Sequence, residues 1–294
     1  MYSVNYGGGT GPTKGVASVE TIWFLLSGGG GIQAIDGIVF GCSNDNTNFY
    51  NFENTAISGV MGLSWSPDSL MTQLSAFINN KFSYCIAPFY QDWPERGSML
   101  TFGDAIPTPR GILLSTNFVK PPSEVSKYYF YLNLLDISVG WVRLGFPPDT
   151  FKINQDGSGG LVIDSGAPAS SLINRDLPGG RNPYKEVLGS FQRYYDSLKL
   201  IRRKDVRLLE LCYQQPPDFK DFITLTYHFE GADYIVDGRN VNYYNKEEGY
   251  FCVALVGNGG ISMLGAWHQQ NTRIIYNGVT NSLQFASEDC TQTG

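Results

Sequence analysis

The stretch Gly159-Gly160-Leu161-Val162-Ile163-Asp164-Ser165-Gly166-Ala167 holds the residues best placed to do chemistry. An apolar run with β-branched residues reads as a buried strand. It delivers one aspartate into a tight Ser-Gly turn, where burial and hydrogen bonds can tune a carboxylate. Asp164 is therefore the candidate catalytic group, and Ser165, Gly166 and Ala167 form its turn. Hydrolysis by carboxyl groups needs two of them, one ionised as base and one protonated as acid. No second Asp-Thr/Ser-Gly occurs in the 294 residues. Taken alone, Asp164 reads as an aspartate capping its own turn.

The elements that must position this turn are mostly strands. Val16 to Leu26 and Gly37 to Phe40 are apolar enough for core strands, and Phe82-Ser83-Tyr84-Cys85-Ile86 alternates like one. Pro67 to Leu74 predicts a short helix, with Pro67 in its first turn and Asp68 at its positive end. A linker is expected near 119–123, followed by a long aromatic-rich strand over Tyr128 to Val139. Tyr184 to Leu200 predicts the main helix, with Val187, Leu188, Phe191, Tyr194, Tyr195 and Leu198 on one face. Thr224 to Phe229, Tyr250 to Leu255 and Arg273 to Tyr276 read as further strands. The chain is thus expected to hold two domains, 1–118 and 119–294, the second carrying Asp164.

Ile261-Ser262-Met263-Leu264-Gly265 and Ser58-Gly59-Val60-Met61-Gly62 are a weak internal echo. Asp164 precedes Gly265 by about a hundred residues, and repeats keep their internal spacing. A first aspartate is then expected roughly forty residues before Met1.

Composition agrees with an all-β protein: Gly 34, Pro 15 and 14% aromatic residues supply turns and strands. A net charge of −6 argues against nucleic-acid or anionic-membrane partners. No segment is long and apolar enough for a membrane span. Residues 1–6 read as part of a strand, without the pattern of a signal peptide. Cys42, Cys85, Cys212, Cys252 and Cys290 include no CxxC pair, and His228 and His268 are not spaced with them as zinc ligands, so no metal site is expected. Two disulfides with one free thiol, or five buried thiols, both fit. Gly7 to Lys14 lacks the Gly-Lys-Ser/Thr order of a phosphate loop, and no cofactor is expected. His268 reads as a surface or strand-end residue.

The order of motifs resembles the pepsin-type aspartic peptidases, and most closely their plant nepenthesin-like branch. Tyr6-Gly7-Gly8-Gly9-Thr10 resembles the flap hairpin, and Phe40-Gly41-Cys42 the strand after it. Gly59 to Leu63 with Ser69-Leu70 and Gln73-Leu74, then Phe82 to Cys85, continue the series. Ile137 to Gly140, Pro147-Pro148, Leu211-Cys212-Tyr213, Leu264-Gly265, Gln269-Gln270-Asn271 and Leu283 to Ala286 with Cys290 complete it.

This resemblance implies a bilobal, pepsin-like all-β fold with an incomplete N-terminal lobe. It implies a dyad in which two aspartates share a proton and activate water, with Asp164 as one member. Ser165 would bond across to the partner turn, and Gly166 would let the backbone approach the carboxylate. Tyr6, Gly7 and Gly9 would belong to the flap over the substrate. Disulfides Cys212–Cys252 and Cys42–Cys290 would follow, the latter tying the lobes and leaving Cys85 free. The location would be secreted or vacuolar, the partner a polypeptide substrate or a protein, and the state monomeric if the lobe is whole. Ala167 departs from the family Thr or Ser, whose hydroxyl donates to the carboxylate, Gly8 stands where the branch often has Asp, and Trp141 replaces a common glycine. A non-catalytic binder resembling plant xylanase inhibitors is the rival reading, and a homodimer rebuilding the dyad from two Asp164 copies is a third.

Overall fold

The structure is a computed structural model describing residues 1–6, 12–26, 29–46, 58–89, 98–122, 124 and 128–292. It divides into two compact units, Met1–Phe77 and Ile78–Gly294.

The first unit holds β1 (Tyr2–Asn5), β2 (Pro12–Leu25) and β3 (Ile32–Asp45), paired antiparallel in that order, and the helical turn α1 (Leu70–Gln73). A second turn, α2 (Ser75–Ile78), spans the division. The expected strands over Val16 to Leu26 and Gly37 to Phe40 are present, but apart from Ile35 and Ile38, which are buried on β3, their large apolar side chains are mostly outside the core. Val16, Val19, Trp23, Leu25, Ile32, Val39 and Phe40 are exposed. A Cβ at Gly41 would lie 2.6 Å from the Tyr2 ring, which would have to shift to admit it.

The Ser-Leu-x-x-Gln-Leu pattern has a local explanation. The Ser69 hydroxyl caps α1 by accepting the Thr72 N–H at 3.2 Å. Leu70 and Leu74 are buried. The Gln73 amide pairs with the Val39 backbone, accepting its N–H at 2.8 Å and donating to its carbonyl at 2.9 Å. The helix therefore starts after Ser69, not at Pro67, because a serine oxygen satisfies an end N–H that proline cannot.

The second unit runs β4 (Lys81–Cys85), β5 (Met99–Phe102), β6 (Leu114–Val119), β7 (Tyr131–Leu132), β8 (Leu134–Val139), β9 (Val142–Arg143), β10 (Leu161–Asp164) and β11 (Ser170–Ile173). The helix α3 (Pro183–Ser197) follows. Then come β12 (Cys212–Gln214), β13 (Leu225–Phe229), β14 (Ala232–Val236), β15 (Asn242–Asn245), β16 (Tyr250–Val253), β17 (Leu255–Asn258), β18 (Ser262–Gly265), β19 (Thr272–Asn277) and β20 (Ser282–Ser287). Ten strands form one sheet in the order β17-β11-β18-β10-β7-β6-β20-β19-β4-β5. Smaller sheets are β14-β13-β8-β9 and β12-β16-β15. Residues 81–119 thus contribute their strands to the sheet that carries β10.

The helix α3 buries Tyr184, Val187, Leu188, Phe191 and Tyr195, with Asn182 capping it through the Lys185 N–H. Leu198 is not part of that face. It is the helix's C-terminal cap and is exposed, because the chain turns into left-handed backbone at Lys199. The long strand expected over Tyr128 to Val139 is broken at Asn133 into β7 and β8. Trp141 is fully exposed on the β8–β9 turn, where Gly140 supplies the positive φ.

The cysteine pairing corrects one expectation. Cys212 pairs with Cys252, direct partners across β12 and β16. Cys290, however, pairs with Cys85 and not with Cys42. The strand β19 lies between β4 and β20 in the sheet, so the end of β4 and the residues after β20 meet, with Cα atoms 5.3 Å apart. That separation suits a disulfide. Cys42 is exposed on β3 and free.

Candidate functional site

The strand β10 is held on both sides. It pairs antiparallel with β7, Val162 facing Tyr131, and parallel with β18, Asp164 facing Gly265. Leu161, Val162 and Ile163 are buried, whereas Asp164 is half-buried and Ser165 and Gly166 are exposed. The apolar run anchors the strand and its end projects the carboxylate. Asp164 Oδ1 accepts the Gly166 N–H at 2.8 Å. A Cβ on Gly166 would stand 3.2 Å from that oxygen, so a side chain would crowd it. Ala167 has no hydroxyl to offer the carboxylate. Ser165 makes no side-chain hydrogen bond among the described residues.

The turn is tied down behind. The Ala266 N–H donates to the Ala167 carbonyl at 2.8 Å, and the Trp267 N–H to the Pro168 carbonyl at 3.0 Å. The buried Ser170 hydroxyl accepts the Gly265 N–H at 2.9 Å. Gly265 has no room for a side chain, since a Cβ would lie 2.5 Å from the Ala169 carbonyl oxygen and 2.7 Å from that of Ala167.

A second layer was not foreseen from sequence, although Tyr84, Leu264 and Gln269 lie in quoted motifs and Tyr276 ends an expected strand. The Tyr84 hydroxyl donates to Gln269 Oε1 and lies 3.0 Å from the Tyr276 hydroxyl. The Gln269 amide donates to the Leu264 carbonyl at 2.7 Å. Burial raises the Tyr84 phenol well above its ordinary range, and Tyr276 and the charge of Asp164 add to this. Burial raises Tyr276 likewise, with Asp164 again contributing. Both phenols therefore stay protonated within electrostatic reach of Asp164.

His268 is buried, not at the surface. It lies in the 3-10 turn Ala266–Gln269 that follows β18, with Nδ1 2.9 Å from the Tyr227 hydroxyl. Burial pushes its imidazole down to about 4. It is a packed neutral residue.

One other constellation has the distances of a nucleophile and base. Ser138 Oγ lies 2.6 Å from His228 Nε2, and His228 Nδ1 lies 2.7 Å from Asp233 Oδ1. Ser138 is buried in mid-strand, however, so the line serves as a polar ladder across β8, β13 and β14.

Tyr6 follows β1 at the entry of the β1–β2 hairpin, whose register runs Asn5 opposite Pro12 and Val4 opposite Thr13. The other flap residues, Gly7 and Gly9, lie outside the described residues. Among the described residues of the second unit, no carboxyl group hydrogen-bonds to Asp164. No group of three or more His, Cys, Asp or Glu suited to a metal occurs among the described residues. No helix among them is long and apolar enough to cross a membrane.

Two family descriptions match the chain, "Xylanase inhibitor C-terminal" over residues 128–287 and "Xylanase inhibitor N-terminal" over residues 1–104. Aspartic proteinase nepenthesin-2 of Nepenthes gracilis is 30% identical over 296 residues, covering 99% of this chain and 61% of its own length. The chain belongs to the plant nepenthesin-like branch of the pepsin-type aspartic peptidases. Aspartyl protease family protein 2 of Arabidopsis thaliana is likewise 30% identical, covering 99% of this chain and 55% of its own. The chain thus spans about three fifths of the length of the curated nepenthesin-like relatives it matches. The pepsin-like fold is shared with conglutin gamma of lupine seeds, at a TM-score of 0.66 and 17% identity, over 94% of this chain and 71% of that one.

Proposed function

We propose that Asp164 is one acid of an aspartic-endopeptidase dyad, and that the 294-residue chain does not hydrolyse peptides efficiently by itself. The reading rests on one observation: a half-buried carboxylate at a strand end, accepting its own turn's Gly166 N–H, with no second Asp-Thr/Ser-Gly in the sequence. In the intact reaction two close carboxyls cannot both ionise. The ionised one takes a proton from water, the resulting hydroxide attacks the peptide carbonyl, and the protonated one stabilises the developing oxyanion. Asp164, on its Ser165-Gly166 turn, supplies one of these roles. A polypeptide is then the substrate, and a secreted or vacuolar location fits the two disulfides.

A cleavage assay on the purified chain, with and without pepstatin, tests the proposal. Background-level turnover is expected. Robust pepstatin-sensitive cleavage would mean that both acids are already in the chain.

The rival is a non-catalytic binder that holds an enzyme such as a xylanase. It is supported by the family descriptions and by the loss of the hydroxyl at Ala167. The transcript upstream of Met1 separates the two. An in-frame Asp-Thr/Ser-Gly favours the peptidase, and its absence favours the binder.

A further inference from the structure

The segment Leu198 to Leu208 concentrates positive charge in an acidic protein. Lys199, Arg202, Arg203, Lys204 and Arg207 stand there against a single acid, Asp205, while the whole chain carries −6. Arg203 is already paired, 2.7 Å from Asp205 and 3.3 Å from Glu248. Lys199, Lys204 and Arg207 are exposed and have no ion pair among the described residues. Arg202 stacks on the Tyr213 ring at 6.0 Å, and its buried Nε has no hydrogen-bond partner.

The segment is held in place. The Arg203 N–H donates to the Cys212 carbonyl at 2.9 Å, and the Gln214 N–H to the Ile201 carbonyl at 2.8 Å. Cys212 is in turn bonded to Cys252. Val206 and Leu209 pack against Cys212, Tyr250 and Cys252, which meets the segment's need for buried apolar contact. Ile201 and Leu208 nevertheless stay 72% and 61% exposed.

We propose that this segment is a docking surface for an acidic polypeptide segment whose apolar side chains alternate with its carboxylates. The cations match the carboxylates, and Ile201 and Leu208 match the apolar side chains. A polyanion without apolar groups would leave that second half unused. The negative charge of the rest of the protein repels such a partner elsewhere, which steers it here. Because the surface is pre-formed, little ordering cost opposes binding. The proposal goes beyond the peptidase reading and is independent of whether the chain cleaves peptides.

Fluorescence polarisation with a labelled peptide of alternating Glu and Leu tests it on the full chain, with labelled polyglutamate as the comparison. The Glu-Leu peptide should bind more tightly than polyglutamate, and more weakly as salt screens the charges. The double reversal Lys204→Glu with Arg207→Glu should weaken binding roughly tenfold. Ile201→Ser with Leu208→Ser should weaken it as well. Lys120→Glu, an exposed lysine outside the segment, should change nothing, and melting temperatures should confirm that every variant is folded. Equal affinity for polyglutamate, no effect of the double reversal, or no binding at all would overturn the proposal.

Discussion

Asp164 and Gly265 stand opposite each other at the ends of two parallel strands, β10 and β18. The pairing puts a glycine where the chain leaving Asp164 must fold back, and the carbonyls of Ala167 and Ala169 occupy the space a side chain would fill. The carboxylate is placed by backbone packing as much as by its own bonds.

Gly265→Ala should therefore disturb the turn. Its methyl group would meet two backbone oxygens, which cannot rotate away. A loss of about 2 kcal/mol is expected from such overpacking. Urea denaturation of the variant and the parent chain measures it, and equal midpoints would show that the turn has room.

His268 makes the fold sensitive to acid. Its folded-state value, about 4, lies below the unfolded value because burial disfavours the cation. The unfolded chain thus takes up a proton first as pH falls. The contribution of the neutral imidazole is complete above about pH 6.5 and is lost between there and about pH 4, at a total of about 3 kcal/mol. Denaturation from pH 7 to pH 4 should show this decline, and His268→Asn should flatten it.

The thiol inventory is a direct test of the pairing. Non-reducing peptide mapping should recover Cys85–Cys290 and Cys212–Cys252, with one accessible thiol at Cys42. A peptide linking Cys42 to Cys290 would restore the motif-based pairing. Reduction of Cys85–Cys290, which closes a loop of 205 residues, should cost about 5 kcal/mol.

The sheet of the first unit should behave as a sticky surface. Val19, Trp23, Leu25 and Ile32 are exposed on a three-stranded sheet. Large apolar patches promote association. The purified chain should bind a hydrophobic dye and sediment with concentration-dependent mass, and Trp23→Ser with Leu25→Ser should reduce both. A monodisperse parent chain that ignores the dye would contradict this.

Local patterns carried much of the fold. The strand into Asp164, the helix near 184–197 and the strand over Phe82 to Cys85 follow from periodicity and turn residues within short windows. What sequence reading missed depends on distant neighbours. Cys85 faces Arg273 across β4 and β19, and only that long-range pairing brings Cys290 to it. His268 is buried because Tyr227 and Tyr234, from a different sheet, bond to its side chain and carbonyl. The tyrosine pair near Asp164 was visible only as one motif letter and one strand residue, since nothing local says that Tyr84 and Tyr276 meet. Exposure of β2 and β3 was missed because apolar content signals a strand without saying what covers it.

The Cys85–Cys290 bond joins the first strand of the second unit to its last residues, 205 positions apart. A protease nick at any loop between them would leave the two fragments covalently attached. Such a clipped molecule would migrate as one species on a non-reducing gel and fall into two only when the disulfides are reduced.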